Sequence, residues 1–452
     1  MNATKDERVT ICGGGLAGSL LAVFLGQRGF RVRVFEKRPD LRREKISAGR
    51  SINLALADRG IGALEAAGVM PRVRELTLPM PGRMLHDTQG RLTFLRYGRR
   101  PEEVNYSVTR GGLNAVLMDA AEATGQVELL FNTACAGLDL DAGQLQLSDE
   151  RDGRRWTEPA QGPVFGADGA GSPVRASLAS QRGVQVSEEP LAHAYKELCI
   201  PPGEGGTHRI ERRALHIWPR GGHMLIALPN LDGSFTVTLF LPLEGDPGFS
   251  SLTDEQRLLA FFGQQFPDAM NHLPDLVADF SENPTGMLGT VRCDRWHDAG
   301  RAVLLGDAAH AVVPFHGQGM QCAFEDCLEM DRLVERHGAD WEAVFSAFDE
   351  QRRDNANAIA DMALENYIEM RDTVRDPRFH LRKELGFLLE ERHPQKFIPR
   401  YSMVMFHAEI PYAEAKRRGA LQLEILERLT RDAETVEQVD LELADRLVHE
   451  QL

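Results

Sequence analysis

The first forty residues can fold into little other than a βαβ unit. Val9-Thr10-Ile11-Cys12 reads as a short apolar strand, Gly13-Gly14-Gly15-Leu16-Ala17-Gly18 follows it directly, and a helical stretch ends at Arg28-Gly29. A second strand, Arg31 to Phe35, alternates basic and apolar residues and ends at Glu36. Gly13, Gly15 and Gly18 permit a tight turn and bring backbone N–H groups close to a pyrophosphate at the positive end of the helix. Glu36 stands 23 residues after Gly13, where its carboxylate can accept both ribose hydroxyls of an adenosine. It would repel a 2′-phosphate, so Lys37 and Arg38 do not make this a slot for NADP. A Gly-rich match alone is weak and fits a structural turn. Strand, spacing, helix and acid together point to a dinucleotide.

The chain has 452 residues, enough for about three domains and for a core that needs no disulfide or metal staple. Lys+Arg 52 against Asp+Glu 67 leaves a net charge of −15, which disfavours nucleic acid or an anionic membrane surface as the main partner. A local basic pocket remains allowed. Cys12, Cys135, Cys199, Cys293, Cys322 and Cys327 are scattered without a Cys-x-x-Cys pair, as in a reduced cytosolic protein. Met1 to Arg8 lacks the cationic-then-apolar pattern of a signal peptide. Leu20 to Leu25 is too short to span a bilayer, and no later run approaches that length. The expectation is a cytoplasmic protein without a membrane anchor.

From Ala214 to Leu241 the pattern turns antiparallel. Ala214 to Trp218, His223 to Leu228 and Phe235 to Leu241 are rich in β-formers, divided by Pro219-Arg220-Gly221-Gly222 and by a loop with Asp232-Gly233. Strand periodicity puts Met224, Ile226 and Leu228 on one face, and Phe240 can share it from the next strand. After residue 300 the α/β character returns, with Arg301 to Leu305 as a strand entering Gly306-Asp307-Ala308-Ala309-His310. From Trp341 onward the chain is mostly helical, broken by Asp376-Pro377, Pro394 and Pro399.

The choice between FAD and NAD falls to two further turns. Gly306-Asp307 follows an apolar strand, where an Asp can hold a ribityl hydroxyl of a flavin. Gly166-Ala167-Asp168-Gly169-Ala170-Gly171-Ser172-Pro173-Val174-Arg175 is a second Gly-Asp turn feeding a helix. Singly, each fits a plain turn or N-cap. In this order, with the first motif, they resemble the three fingerprints of the single-component flavoprotein aromatic hydroxylases. The resemblance implies that FAD is held by the first and third motifs, while Asp168 serves both FAD and NADPH. It implies an α/β fold: a Rossmann-like FAD-binding layer (1–72, 100–190 and 288–335), an inserted antiparallel β-sheet substrate domain (73–99 and 191–287), and a helical C-terminal domain (336–452). Only one strand-anchored Gly-x-Gly-x-x-Gly is present, which fits NADPH as a transient co-substrate.

Arg50-Ser51-Ile52-Asn53-Leu54-Ala55-Leu56-Ala57, Tyr195-Lys196-Glu197-Leu198, Pro314-Phe315-His316-Gly317-Gln318-Gly319-Met320 and Glu365 to Asp372 are similar to the kynurenine 3-monooxygenase family within that class. The likeness runs from Val9 to the Tyr401 region. Mitochondrial members carry a C-terminal membrane anchor, and the charged tail Ala444 to Glu450 departs from it. The implied substrate is L-kynurenine, hydroxylated with NADPH and O2 through a flavin C4a-hydroperoxide. Arg83 and Tyr97, 14 residues apart, stand where the family binds the substrate carboxylate, with Asn366 and Tyr401 completing the clamp. Met224, Ile226, Leu228, Phe240, Pro314, Phe315, His316, Gln321 and Met370 are the implied apolar surroundings of the ring. Ala55, Arg110 and Met320 join Gly13, Gly15, Gly18, Glu36, Asp168 and Asp307 as implied FAD contacts.

Without the resemblance, these residues have plainer readings. Ile359, Ala363, Asn366 and Met370 share one helix stripe, so Asn366 is a polar residue on an apolar face that needs a partner, and a neighbouring loop would suffice. Arg83 and Tyr97 could be surface residues, the β-strand apolar residues plain core, and Arg110 an exposed helix start. His310 and His316 with Asp307 lack the spacing of a metal site, and no metal is expected. Two alternatives stay open: a hydroxylase of another aromatic acid, and a non-enzymatic flavin-binding protein on the same fold.

Overall fold

Val9 stands beside Val32 and Ile11 beside Val34 where the strands Arg8–Cys12 and Arg31–Phe35 pair in parallel. The computed structural model that shows this describes residues 7–44, 53–371 and 377–452. The two strands sit inside a six-stranded sheet ordered His297–Asp298, Ala302–Leu304, Val164–Gly166, Arg8–Cys12, Arg31–Phe35, Val127–Leu130, parallel except at the first strand. Strands of such a sheet are covered on both faces, so they read as apolar runs, and Val9, Ile11, Val32 and Val34 are fully buried. The helix Leu16–Gln27 packs against the helices Arg110–Ala123 and Gly319–His337. Leu20 to Leu25 are all buried there, which accounts for that apolar run as a core helix.

Three adjacent parallel strands of this sheet end in the three motifs. Cys12 leads into Gly13, Gly166 into Asp168, and Leu304 into Gly306-Asp307. Parallel neighbours share their carboxyl ends, which is where open α/β sheets bind ligands. A separate antiparallel sheet of Thr133–Asp139, Gln144–Asp149 and Arg155–Pro159 belongs to the same compact unit, formed from Met1–Leu78, Ser107–Leu191 and Met287–Ala360.

The second unit comprises Pro79–Tyr106, Ala192–Gly286 and Asp361–Leu452. Six neighbouring strands of its sheet stand in the order Val186–Ile200, Phe235–Pro242, Met224–Pro229, Leu215–Pro219, Gly82–His86, Leu92–Arg96. The expected meander is present, with its strands within a residue or so of the expected bounds. Beside it, Gly82–His86 pairs in parallel with Leu215–Pro219, a partner that local sequence does not announce.

Register divides the sheet into two faces. Met224 lies opposite Phe240, Ile226 opposite Ile217, and Arg83 beside Leu215, so Arg83 shares the face of Met224, Ile226, Leu228 and Phe240. On the other face Trp218, Leu225, Ala227, Val237 and Leu239 pack with Leu258, Phe262, Phe266 and Leu276 of the following helical segment. The C-terminal helices Pro377–Arg392, Tyr412–Leu429 and Leu441–Gln451 close on their own core of Leu385, Leu389, Ile425, Leu447 and Val448. Among the described residues, no helix is long and apolar enough to cross a membrane.

Candidate active site

Gly13 has φ +102°, and a Cβ there would collide with the Ala167 carbonyl. A Cβ on Gly18 would strike the Gly13 carbonyl, so both positions require glycine. Gly15, the N-cap of the helix, has nothing within 4 Å of where a Cβ would stand. The turn thus leaves free space in front of the N–H groups of a helix start, the shape a pyrophosphate needs. Glu36 is buried and accepts the Gly14 N–H at 2.8 Å on one oxygen and the Arg38 N–H at 2.9 Å on the other. Each oxygen keeps a lone pair for a ribose hydroxyl.

Asn114, which the sequence did not single out, donates to the Gly14 carbonyl at 3.1 Å. Its Oδ1 and the Oδ1 of Asp168 are buried without a hydrogen-bond partner among the described residues. Burial pushes the Asp168 carboxyl above its ordinary range, while its other oxygen accepts the Val174 N–H. Arg175 joins the second motif to the third, donating to the Ala308 carbonyl at 3.0 Å. Asp307 is exposed at the start of its short helix. Two orphaned acceptors beside a glycine turn fit a ligand that brings hydroxyls, as the ribose and ribityl groups of FAD do. Arg110 is a half-buried first residue of its helix.

The third motif rests on a buried ionic network. Asp326, wholly buried, accepts the Gly306 N–H at 3.0 Å, His310 Nε2 at 2.6 Å and Arg352 Nε at 2.8 Å. Arg352 also pairs with Glu325, which pairs in turn with Arg59. Burial would raise the Asp326 carboxyl, but His310 and Arg352 hold it down at about 2. Burial works against a charge on His310 as well, yet Cys322 and Asp326 hold it well above its ordinary range. His310, Cys322 and Asp326 bring ligand atoms within 4.8 Å of one another, a cluster the sequence did not suggest. Arg352 already supplies the cation for it. Gln321 donates to the Ala55 carbonyl at 2.5 Å and is fully buried, while Phe315 and His316 are buried, Met320 half-buried and Pro314 exposed.

In the second unit, Arg83 lies beside a stacked pair of phenol rings, 5.4 Å from the Tyr97 centroid and 4.6 Å from that of Tyr401. The rings are 13° from parallel with centroids 5.8 Å apart. Burial disfavours the guanidinium charge, but the Tyr401 and Tyr97 oxygens and Glu369 outweigh it and raise Arg83 above its ordinary value. Burial likewise raises the Tyr97 hydroxyl, which stays protonated. Arg83 Nε is buried without a partner among the described residues, an open donor beside a fixed cation. Arg83 also lines a small cleft with Leu85, Leu95, Ile217, Pro219, Phe379 and Lys383. Burial, with Arg83 nearby, lowers the Lys383 ammonium to about 8. Lys383 had no marker in sequence, because only folding brings it to Arg83. Asn366 is buried on the helix Trp341–Arg371, and the Met370 side chain lies outside the described residues.

A family model described as FAD binding domain matches residues 6–193 and 267–363. The fold is that of flavin-dependent oxygenases. It is shared with 2-methyl-3-hydroxypyridine-5-carboxylic acid oxygenase (TM-score 0.66, 22% identity, 83% of this chain and 95% of that one). It is shared also with PqsL of P. aeruginosa, solved with 2-aminobenzoylacetate (TM-score 0.64, 22% identity, 82% and 98%). Kynurenine 3-monooxygenase of Myxococcus xanthus is 46% identical over 452 residues, all of this chain and 97% of that protein. The same enzyme of Stenotrophomonas maltophilia is also 46% identical, over all of this chain and 98% of its own length. The chain belongs to the kynurenine 3-monooxygenase family.

Proposed function

We propose that this chain hydroxylates L-kynurenine to 3-hydroxykynurenine, consuming NADPH and O2 with FAD as its bound cofactor. The observation that carries the substrate reading is Arg83. It is a cation held beside two stacked phenols, with a buried unused donor, on the sheet face that also bears Met224, Ile226, Leu228 and Phe240. An amino acid with an aromatic ring needs such a pairing of carboxylate receptor and apolar wall.

When bound, FAD reduced by NADPH supplies the activation of O2. The chain's own residues have positioning tasks. Gly13, Gly15 and Gly18 with Glu36 would receive the adenosine diphosphate, and Asp168 and Asp307 the remaining hydroxyls. Arg83, Tyr97, Tyr401 and Asn366 would clamp the substrate carboxylate, which fixes the far end of the molecule and so the place of its ring. The apolar face of Met224, Ile226, Leu228 and Phe240 would keep water from the substrate ring. Six free cysteines suit a reducing compartment, and the cytoplasm is the proposed location.

The test incubates the purified protein with FAD, NADPH, O2 and L-kynurenine and identifies the product by mass. 3-Hydroxykynurenine supports the reading. NADPH oxidation that yields only hydrogen peroxide overturns it, and faster turnover of benzoate-type acids would reassign the substrate. A protein that retains no yellow flavin absorbance would point to a non-enzymatic role.

A further inference from the structure

The opposite face of the same sheet carries a chain of rings that the reaction does not use. His86 ends the strand Gly82–His86, and both it and His216 are buried. His86 Nδ1 lies 2.7 Å from an oxygen of Asp268, and His86 Nε2 lies 2.8 Å from His216 Nδ1. His216 Nε2 lies 2.7 Å from the Glu211 carbonyl oxygen. Trp218 Nε1 donates to the same Asp268 oxygen at 2.8 Å, and its ring stacks on His86 with centroids 4.0 Å apart.

Both ends of this chain, a carboxylate and a carbonyl, are acceptors. Each of the three contacts therefore needs one proton, and two neutral imidazoles carry only two. With two, one contact would set lone pair against lone pair in a buried site, at the full cost of an unsatisfied polar group. With three, His86 donates from both nitrogens, and His216 accepts at Nδ1 and donates from Nε2. The surroundings favour placing the third proton on His86. The indole N–H on Asp268 stabilises the carboxylate, and the aromatic face beneath His86 favours a cation. Burial alone would raise Asp268, but its bonds from His86 and Trp218 bring it below the ordinary range. Burial lowers His216 to about 4, so it is the neutral member. The other charged or titratable groups facing this chain are His272, the Glu211 carboxylate and Arg220, which donates to the His86 carbonyl at 2.9 Å.

We infer that His86 is a buried imidazolium paired with Asp268, and that it ties the strand bearing Arg83 to its parallel neighbour, so that it is a positioning residue for the substrate clamp. Arg83 stands beside Leu215 and Met84 beside His216, so the His86–His216 bond joins these two strands through side chains. Loss of the third proton breaks one link and loosens the strand at the residue three places from Arg83. The positioning role rests on the substrate reading above, whereas the protonation state does not.

The test uses the holoenzyme labelled with 15N-histidine. Near neutral pH the wild-type protein should show two buried rings with both nitrogens protonated, His310 and His86, and only the second signal should vanish in His86→Gln. Asp268→Asn should also abolish it while keeping the three links of the chain, because an amide N–H can donate to His86 Nδ1 and two neutral rings then suffice; only the Trp218 N–H, which donates to that same oxygen, loses its acceptor. A doubly protonated signal set that is the same in wild type and His86→Gln overturns the inference. In the second arm, the wild-type KM for kynurenine should rise roughly threefold or more at the pH where the His86 signal disappears, with kcat retained. Asp268→Asn should show no such rise. A wild-type KM that stays flat while the signal is lost removes the positioning role. The spectra need no substrate, so failure of the kynurenine reading leaves the protonation state decided.

Discussion

Arg83 stands beside the stacked rings of Tyr97 and Tyr401. A guanidinium brings a planar fork of donors as well as its charge, and lysine has only the charge. Arg83→Ala should raise the KM for kynurenine roughly 10-fold or more, about 1.4 kcal/mol or above from a lost charge-assisted pair. Arg83→Lys should fall between wild type and Arg83→Ala, with kcat little changed in either. Steady-state kinetics checks this, and an unchanged KM in both variants would remove Arg83 from the clamp. The clamp residues are legible in sequence only through family likeness. Their residue types and spacing do not separate them from surface positions, since strand pairing and a C-terminal helix are what bring Arg83, Tyr97 and Tyr401 together.

Two glycines of the first turn make opposite demands on the element they begin. A Cβ at Gly18 meets backbone, whereas at Gly15 it meets open space. Gly18→Ala should therefore lower the melting temperature of the flavin-free protein. Gly15→Ala should leave that temperature unchanged and still weaken FAD binding, because the methyl would intrude where the pyrophosphate is proposed to lie. Thermal melts with and without FAD, together with flavin titration, separate the two; equal effects would show that the free space at Gly15 is not used. At the third motif, Asp326→Asn removes one charge from a buried network and should reduce unfolding free energy by about 3 kcal/mol, measured in urea, with FAD held less tightly. The glycine turn is legible in sequence because strand, turn, helix and acid lie within one short segment. Asp326 is not, because its partners Gly306, His310 and Arg352 come from 20 and 16 residues before it and 26 after it. The parallel strand Gly82–His86 was missed for the same reason, its partner being the distant Leu215–Pro219.

Across the whole molecule, buried histidines set how folding responds to acid. Burial lowers His216 and His223 to about 4, from an ordinary 6.5. Unfolded chains take up these protons near 6.5, while the folded protein resists until about 4. The stability they represent is therefore present above 6.5 and is lost as pH falls through about 4, on the order of 3 kcal/mol for His216. Urea unfolding at neutral and mildly acidic pH should show the drop, and His216→Gln should flatten it; equal slopes in the two proteins would remove His216 as a source. The two-faced sheet carries a further consequence. Arg83 and His86 are three residues apart and therefore face opposite ways. Gaining or losing one residue between them would turn either the cation into the helical core or the imidazole away from Asp268. Gaining two would preserve both. Descendants of this chain can exchange many letters along that strand, but the parity of its length is inherited.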